Sequence, residues 1–534
     1  MTQDSTRLIS KSAVRFSIGT FLSRLSGMVR EVTMASVLGT TPSVAAFLVA
    51  FRFAYLLRRL FGESALINGF IPHYQALRTE NEENALKFFR DLFGTSTILL
   101  IGLIGILELG LLTCLICNPM QETTAEILRL IMLSLPGLLF ISLFALHAGF
   151  LQCHGRFFLT GIAPLAFNVA WIGTLIFYRH HPPSAITTRL ALALDVAFLF
   201  QWAILLPTTW QQMRKFFVQS DSTQVRWLPI RLFSGEIRRM LTTISLGILG
   251  VGAAQINSFI DLLFARTAEL AGPAYLSFAI RLQQFPLALF GIAISSALFP
   301  SLSKAIKNQD ELLAYKLVDF GAKKTVILMT LCTVGIFSVG IPSVNLLFGH
   351  GQFNDFAVMK TVLCLWAYGL GLLPTALAIF FNQAFFARHD FRTPTFMACG
   401  IIVLNATCNS ILIFGCQFGA TSVALSTSFS ALVHTGTLQF IYRKRYGLSY
   451  MHRTTILTLL IISASIGILS LMVAEWAGNP APFSLLREST PPLFSHILIE
   501  QIWACLLPGI TFLTLALLSW LALEHRFQKT NNPS

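Results

Sequence analysis

The sequence predicts an all-α polytopic membrane protein of about 14 transmembrane helices: two six-helix bundles related by a parallel pseudo-two-fold repeat, plus two C-terminal helices. Three observations carry this expectation. The first is composition: 54% of the 534 residues are hydrophobic and only 12% are charged, where a soluble domain carries about a quarter. The second is a recurrence of apolar runs long enough to cross a bilayer. The third is the side on which the Lys and Arg fall between those runs.

The runs lie near 12–39, 43–70, 92–117, 124–151, 157–178, 190–211, 240–264, 272–302, 325–348, 357–384, 395–414, 419–441, 454–475 and 497–523. The first two are the least apolar. With a cytoplasmic N-terminus, the inner segments carry 26 Lys and Arg, and the outer segments carry only Arg179, Arg189, Arg266 and Arg487. A miscounted span would invert this bias partway along the chain, so fourteen spans with both termini cytoplasmic are expected. No A-x-A cleavage site follows a short apolar run near the N-terminus, so a removable signal peptide is not expected.

The formal charge of +14 does not point to nucleic acid, because the cations are scattered between apolar runs and do not cluster on a water-exposed domain. The nine Cys imply no disulfide framework; Cys114 and Cys117 form a lone CxxC with no second pair or nearby His. No phosphate-binding G-x-x-x-x-G-K-[ST] loop occurs, and no nucleophile lies beside a base, so transport without an ATPase motif is expected rather than catalysis. His147 and His434 stand singly in apolar runs and are read as core groups.

An internal repeat supports two bundles. Arg52, Leu60-Phe61-Gly62 and Pro72 recur as Arg281, Leu289-Phe290-Gly291 and Pro300. They link spans two and eight, six helices apart and identically oriented, as parallel repeats require. The expected organisation is a first bundle over 1–211, a cytoplasmic linker over 212–239, a second bundle over 240–441, and a helix pair with a cytoplasmic tail over 442–534.

Of the 38 Lys and Arg, eight fall within spans: Arg24, Arg30, Arg52, Arg58, Arg59, Arg129, Arg281 and Lys360. Arg129 and Lys360 lie near outer helix ends and can snorkel. Five of the others crowd onto the first two spans, where facing lipid would cost about 2.5–3.5 kcal/mol each. Glu31 and Glu63 are the local acids, too few to neutralise five guanidinium groups. A polar cavity with surplus positive charge predicts an anionic, phosphate-bearing cargo, which Arg grips through its planar fork. For Arg58 and Arg59 the alternative is anchoring at the cytoplasmic face.

These residues resemble the MurJ (MviN) family of the multidrug/oligosaccharidyl-lipid/polysaccharide exporter superfamily. Ser23-Arg24-Leu25-Ser26-Gly27-Met28-Val29-Arg30-Glu31 resembles its first helix, and Phe47 to Phe51 with Leu56-Leu57-Arg58-Arg59-Leu60-Phe61 and Glu63 its second. Arg281-Leu282, Phe285-Pro286 and Phe299-Pro300-Ser301 resemble its eighth, Arg156-Phe157 with Asn168 the entry to its fifth, and Arg388-x-Asp390-x-Arg392-Thr393-Pro394 a cytoplasmic loop. The resemblance covers roughly residues 10–445.

The resemblance implies a lipid II flippase of the bacterial inner membrane, working by alternating access on undecaprenyl-diphosphate-MurNAc-pentapeptide-GlcNAc. Arg24, Arg30, Arg58 and Arg281, with Ser23, Arg52 and Arg59 nearby, would line a substrate cavity. Glu31 and Glu63 would supply counter-charge, and spans 13–14 a groove for the polyprenyl tail. Two acids usual in the family are Ala45 and Ile280 here, so any gate relying on them must work otherwise. No cofactor is implied; the drive would be a monovalent cation or the membrane potential, with Asp261, Asn257, Asn405 and Asn409 as cation candidates. Membrane lipids are expected partners, and other cell-wall synthesis and division proteins are candidates. Alternatives are a flippase for another polyprenyl-diphosphate-linked saccharide and a membrane scaffold of cell-wall synthesis.

Overall fold

The computed structural model describes residues 25–61, 63–117, 121–219, 231–447, 453–480 and 496–531, and every regular element among them is a helix. The first unit, Met1–Phe259, contains α1 (25–38), α2 (Pro42–Phe61), α3 (Glu63–Glu80), α4 (Glu82–Cys117), α5 (Glu122–Ser134), α6 (Pro136–Cys153), α7 (Phe158–Ile162), α8 (Pro164–Tyr178), α9 (Pro183–Ala203) and α10 (Leu206–Gln219). The second unit, Ile260–Ser534, continues α11 (Gly235–Ala268) into α12 (Gly272–Pro286), α13 (Ala293–Lys307), α14 (Glu311–Phe348), α15 (Asp355–Leu370), α16 (Leu372–Ala387), α17 (Arg392–Ser410), α18 (Thr421–Tyr446), α19 (Arg453–Trp476) and α20 (Leu498–Asn531).

Where the residues are described, the expected spans coincide with helices or pairs of helices; residues 12–24 of the first lie outside them. Among the described residues nine of these are long and apolar enough to cross a bilayer, and ten if the pair α15–α16, bent by 45°, counts as one span. The segments that fall short in apolar character, such as α1–α3 and α18, carry the intramembrane arginines or many hydroxyls. The outer half of α4 exposes Ile98, Leu99, Ile101, Ile106, Leu109, Leu112 and Ile116. Such a stripe is the surface that a lipid solvent accepts.

In the second unit the repeat marks a change in the helix; in the first, Leu60 and Phe61 close the described part of α2, and Gly62 lies outside the described residues. Leu289-Phe290-Gly291 lies in a π-helical turn, Leu287–Ile292, between α12 and α13. Pro72 and Pro300 each sit inside the helix that follows. Extra residues in a turn free backbone groups and bend the helix, so in the second unit the triplet lies at a point of bending. The segment expected as linker is helical at both described ends, in α10 and at the start of α11.

Close helix contact replaces the hydrophobic drive that lipid removes. In the second unit a Cβ on Gly321 would come within 2.5 Å of the Phe380 ring, so α14 and α16 meet where the glycine stands. Around them Leu302, Val318, Phe381, Phe385, Leu438 and Tyr442 are buried together. α19 and α20 close on α14 through Ile327, Leu331, Leu459, Ile466 and Phe512, and Lys324 Nζ lies 4.3 Å from the Trp520 ring centre.

At the ends expected to be cytoplasmic, the family-like loop is a clip. Asp390 accepts from the Thr393 N–H (3.0 Å) and hydroxyl (2.7 Å), capping α17, and pairs with Arg445 at 2.8 Å. Arg388 donates to both Glu311 oxygens at 3.1 and 2.8 Å and lies 3.9 Å over the Tyr446 ring. His147 is a satisfied core group, as expected, with its Nδ1 2.9 Å from the Leu143 carbonyl; His434 keeps Nε2 buried without a partner.

Candidate functional site

In the first unit the arginines form two groups. Arg30 of α1 donates from Nη1 to Asn168 Oδ1 on α8 at 3.0 Å and from Nη2 to Glu31 at 2.6 Å. Its guanidinium lies 4.8 Å from the Trp171 ring centre and 5.4 Å from that of Phe167. Asn168 Nδ2 donates onward to Ser26 Oγ at 2.7 Å. This is a charge-assisted node that ties α1 to α8, and it commits much of the Arg30 fork to protein.

Arg52, Arg58 and Arg59 of α2 gather around Tyr55, their guanidinium carbons 5.6, 5.6 and 5.3 Å from its ring centre. Arg59 donates from Nε and Nη2 to the Tyr55 hydroxyl at 2.9 and 2.7 Å, and Arg58 also lies 5.9 Å from the Phe198 ring on α9. The electron-rich ring face attracts cations, so one tyrosine gathers three like charges spread over about two turns of α2. Sequence reasoning missed Tyr55. The signal was its place three residues after Arg52 and four before Arg59, on one helical face.

The other candidates divide. Arg281 lies on α12 with its side chain exposed. Ser23, Arg24 and the Glu63 side chain lie outside the described residues. Ala45, in place of the family acid, is fully buried.

In the second unit Asp261, Asn405 and Asn409 do come together. Asp261 Oδ1 accepts from Asn405 Nδ2 at 2.6 Å and Asn409 Nδ2 at 3.0 Å, and Oδ2 from the Thr427 hydroxyl at 3.3 Å. Asn405 and Asn409 have no exposed surface, and Asp261 is 7% exposed. Thr427 of α18 was not foreseen; only tertiary contact joins it to α11 and α17. Asn257 lies one turn earlier on α11. No group of three or more His, Cys, Asp or Glu is arranged to hold a metal among the described residues. The Asp261 cluster is instead a single carboxylate with amide and hydroxyl oxygens. Asn409 Oδ1 is buried and lacks a hydrogen-bond partner, an oxygen such a set could turn on a hard cation.

With only helices and nine or ten of membrane length among the described residues, a cationic node in one unit and an anionic node in the other, the chain is a multi-pass membrane protein built as a transporter. The fold agrees with solved structures described as a lipid II flippase MurJ in an inward closed conformation (TM-score 0.69, 19% identity, 96% of this chain and 99% of that chain) and as an inward-facing MATE transporter of the MOP superfamily (TM-score 0.64, 15% identity, 82% and 98%). A family model described as lipid II flippase MurJ matches residues 34–488, and the chain belongs to that family. Among curated relatives, it is 33% identical to the probable lipid II flippase MurJ of Chlamydia trachomatis over 83% of this chain and 79% of the relative. It is 28% identical to the lipid II flippase MurJ of Burkholderia cenocepacia over 80% and 82%.

Proposed function

We propose that the protein is a lipid II flippase of a bacterial inner membrane, carrying undecaprenyl-diphosphate-MurNAc-pentapeptide-GlcNAc from the cytoplasmic to the outer leaflet by alternating access. Family membership supports the cargo. The observation that carries the chemistry is the cluster of Arg52, Arg58 and Arg59 on Tyr55, a concentration of cationic forks inside a membrane unit. Arg24 and Arg281 engage the diphosphate, and Arg30 with Glu31 holds the first helix in place for them. Fourteen spans with both termini cytoplasmic are the topology, and α19–α20 carry the tail groove.

The driving ion in this reading is a monovalent cation held by Asp261, Asn405, Asn409 and Thr427. The ion would supply charge compensation there; the chain's own part is to present the carboxylate and turn the amide oxygens inward. The buried orphan oxygen of Asn409 favours this fit.

The test is lipid II translocation into vesicles holding only this protein. Arg24→Lys and Arg281→Lys keep charge but lose the bidentate fork. A charge-assisted hydrogen bond is worth about 1.5–3 kcal/mol, so each should weaken lipid II binding about tenfold to a hundredfold, with the Ala variants worse. Wild-type binding and flipping in both Ala variants would return these arginines to structural roles.

A further inference from the structure

The transport reading uses Asp261 and leaves a second intramembrane aspartate unassigned. Asp195 lies about three turns into α9, within the apolar segment Pro183–Arg214 that is long enough to cross a bilayer. An ionisable group at that depth is costly and marks function by default. The groups that bear on its carboxylate are a backbone donor, the Gly137 N–H, and a second acid, Glu108 of α4. Gly137 opens α6 just after the break at Leu135, with Pro136 as its first residue. A Cβ at position 137 would collide with Asp195 Oδ1 and approach the Phe198 ring to 2.8 Å. The glycine is therefore the seat on which the carboxylate rests.

The other elements packed around it leave a small chamber. α2 brings Tyr55 and Arg58, α5 brings Ser134, and α9 itself brings Phe198, against which Phe167 of α8 stacks at 5.1 Å. The chamber measures about 20 Å³, room for one water. A metal ion needs several oxygens converging on it. Here an N–H faces the carboxylate, and an N–H repels a cation. A proton needs only the carboxylate and a water to deliver it.

We propose that Asp195 is a proton-carrying group: seated on Gly137 and served by the chamber, its carboxylate takes up and releases one proton in each transport cycle. An O–H bond forms between a carboxylate oxygen and a proton passed from water; nothing leaves, and the reverse step restores the anion. Protonation removes the charge that the Gly137 N–H satisfies, loosening α9 from α6 at the break in that span. The proposal rests on the transporter reading, yet its chemistry can be read without cargo.

The experiment is difference infrared spectroscopy of the purified full-length protein in lipid, between mildly acidic and mildly alkaline buffer. A protonated-carboxyl carbonyl band should come and go in the wild type, vanish in Asp195→Asn, persist in Asp195→Glu and shift its midpoint in Gly137→Ala. Asparagine keeps an acceptor for the Gly137 N–H, so folding is retained. The same band change in wild type and Asp195→Asn overturns the assignment. In vesicles with an imposed proton gradient, wild type should flip lipid II faster, and Asp195→Asn should bind lipid II yet lose that response. An undiminished response in Asp195→Asn also overturns it. A titrating band in a protein that flips no lipid II would sink the cargo reading and leave the proton site standing.

Discussion

The first and second units solve one problem with opposite charges. In the first, Asn168 on α8 accepts from Arg30 on α1; in the second, Asn405 and Asn409 on α17 donate to Asp261 on α11. Both nodes join the first helix of a bundle to its fifth through an amide, which gives or takes hydrogen bonds as the partner demands. What differs is the sign of the buried charge. A guanidinium node leaves a positive field suited to a phosphate, and a carboxylate node leaves oxygens suited to a cation. The same kind of amide link thus holds a guanidinium in one unit and a carboxylate in the other.

The largest effect should come from breaking the cationic node. Arg30→Ala removes the charge-assisted hydrogen bonds to Glu31 and Asn168 Oδ1 and two ring contacts, at a cost of about 3 kcal/mol. Unfolding in detergent should shift accordingly, and Glu31→Gln should shift it less. An unchanged transition would mean that Arg30 is not structural and that its fork is available to cargo.

The anionic node should answer to ions instead. If Asp261 holds a monovalent cation, saturating that ion at about a hundredfold over its Kd stabilises the fold by about 2.7 kcal/mol. Melting of the wild type should rise with sodium or lithium, and melting of Asp261→Asn should not. Equal responses in both proteins would remove the cation from this node and erase the contrast.

A third test compares the buried contact between α14 and α16 with both nodes. Gly321→Ala drives a methyl against the Phe380 ring, and overpacking of this kind costs about 1–3 kcal/mol. It should lower thermal stability in the presence and absence of sodium alike. A sodium-dependent loss would show that the second unit's packing and its ion node are coupled.

The smallest effect belongs to the Arg388–Glu311 and Asp390–Arg445 clip, which lies outside both nodes. Hydrogen bonding from Arg388 holds the Glu311 carboxyl below its usual range. Burial pushes Asp390 up, but the Thr393 N–H and hydroxyl and the nearby Arg445 outweigh it, so its carboxyl also sits low. Folded values below the unfolded ones give stability that is present above the unfolded carboxylate range and lost as pH falls through the folded values. The clip should therefore hold from neutral pH to about pH 4 and weaken below it. The wild type should lose more stability than Arg388→Ala over that acid interval. Because Glu311 and Arg445 are exposed, the difference should stay within about 1 kcal/mol.

Much of this was legible before any coordinates. Apolar length and the placement of Lys and Arg set the helices, because bilayer thickness and insertion charge act on sequence directly. The Leu-Phe-Gly repeat pointed to two bundles, and only the structure showed that its second copy lies in a π-helical turn. Asp261 with its asparagines stood out through family resemblance, whereas the arginines of the first helices stood out as charges inside apolar spans. Three things were not legible: that Tyr55 gathers three arginines, that Thr427 completes the Asp261 cluster, and that Asp195 rests on Gly137. Two of the three join residues 58 or more positions apart, and helix periodicity says nothing of which faces meet. Counting counter-charges only on the first two spans also passed over Asp195 and Glu108, although an acid within an apolar run was a visible signal. The sequence alone determined that this chain lives in a membrane and carries charge there at a cost. Tertiary packing decided which donors, rings and glycines meet each charge, because hydrogen bonds and close contacts act over a few ångströms between helices that the sequence keeps apart.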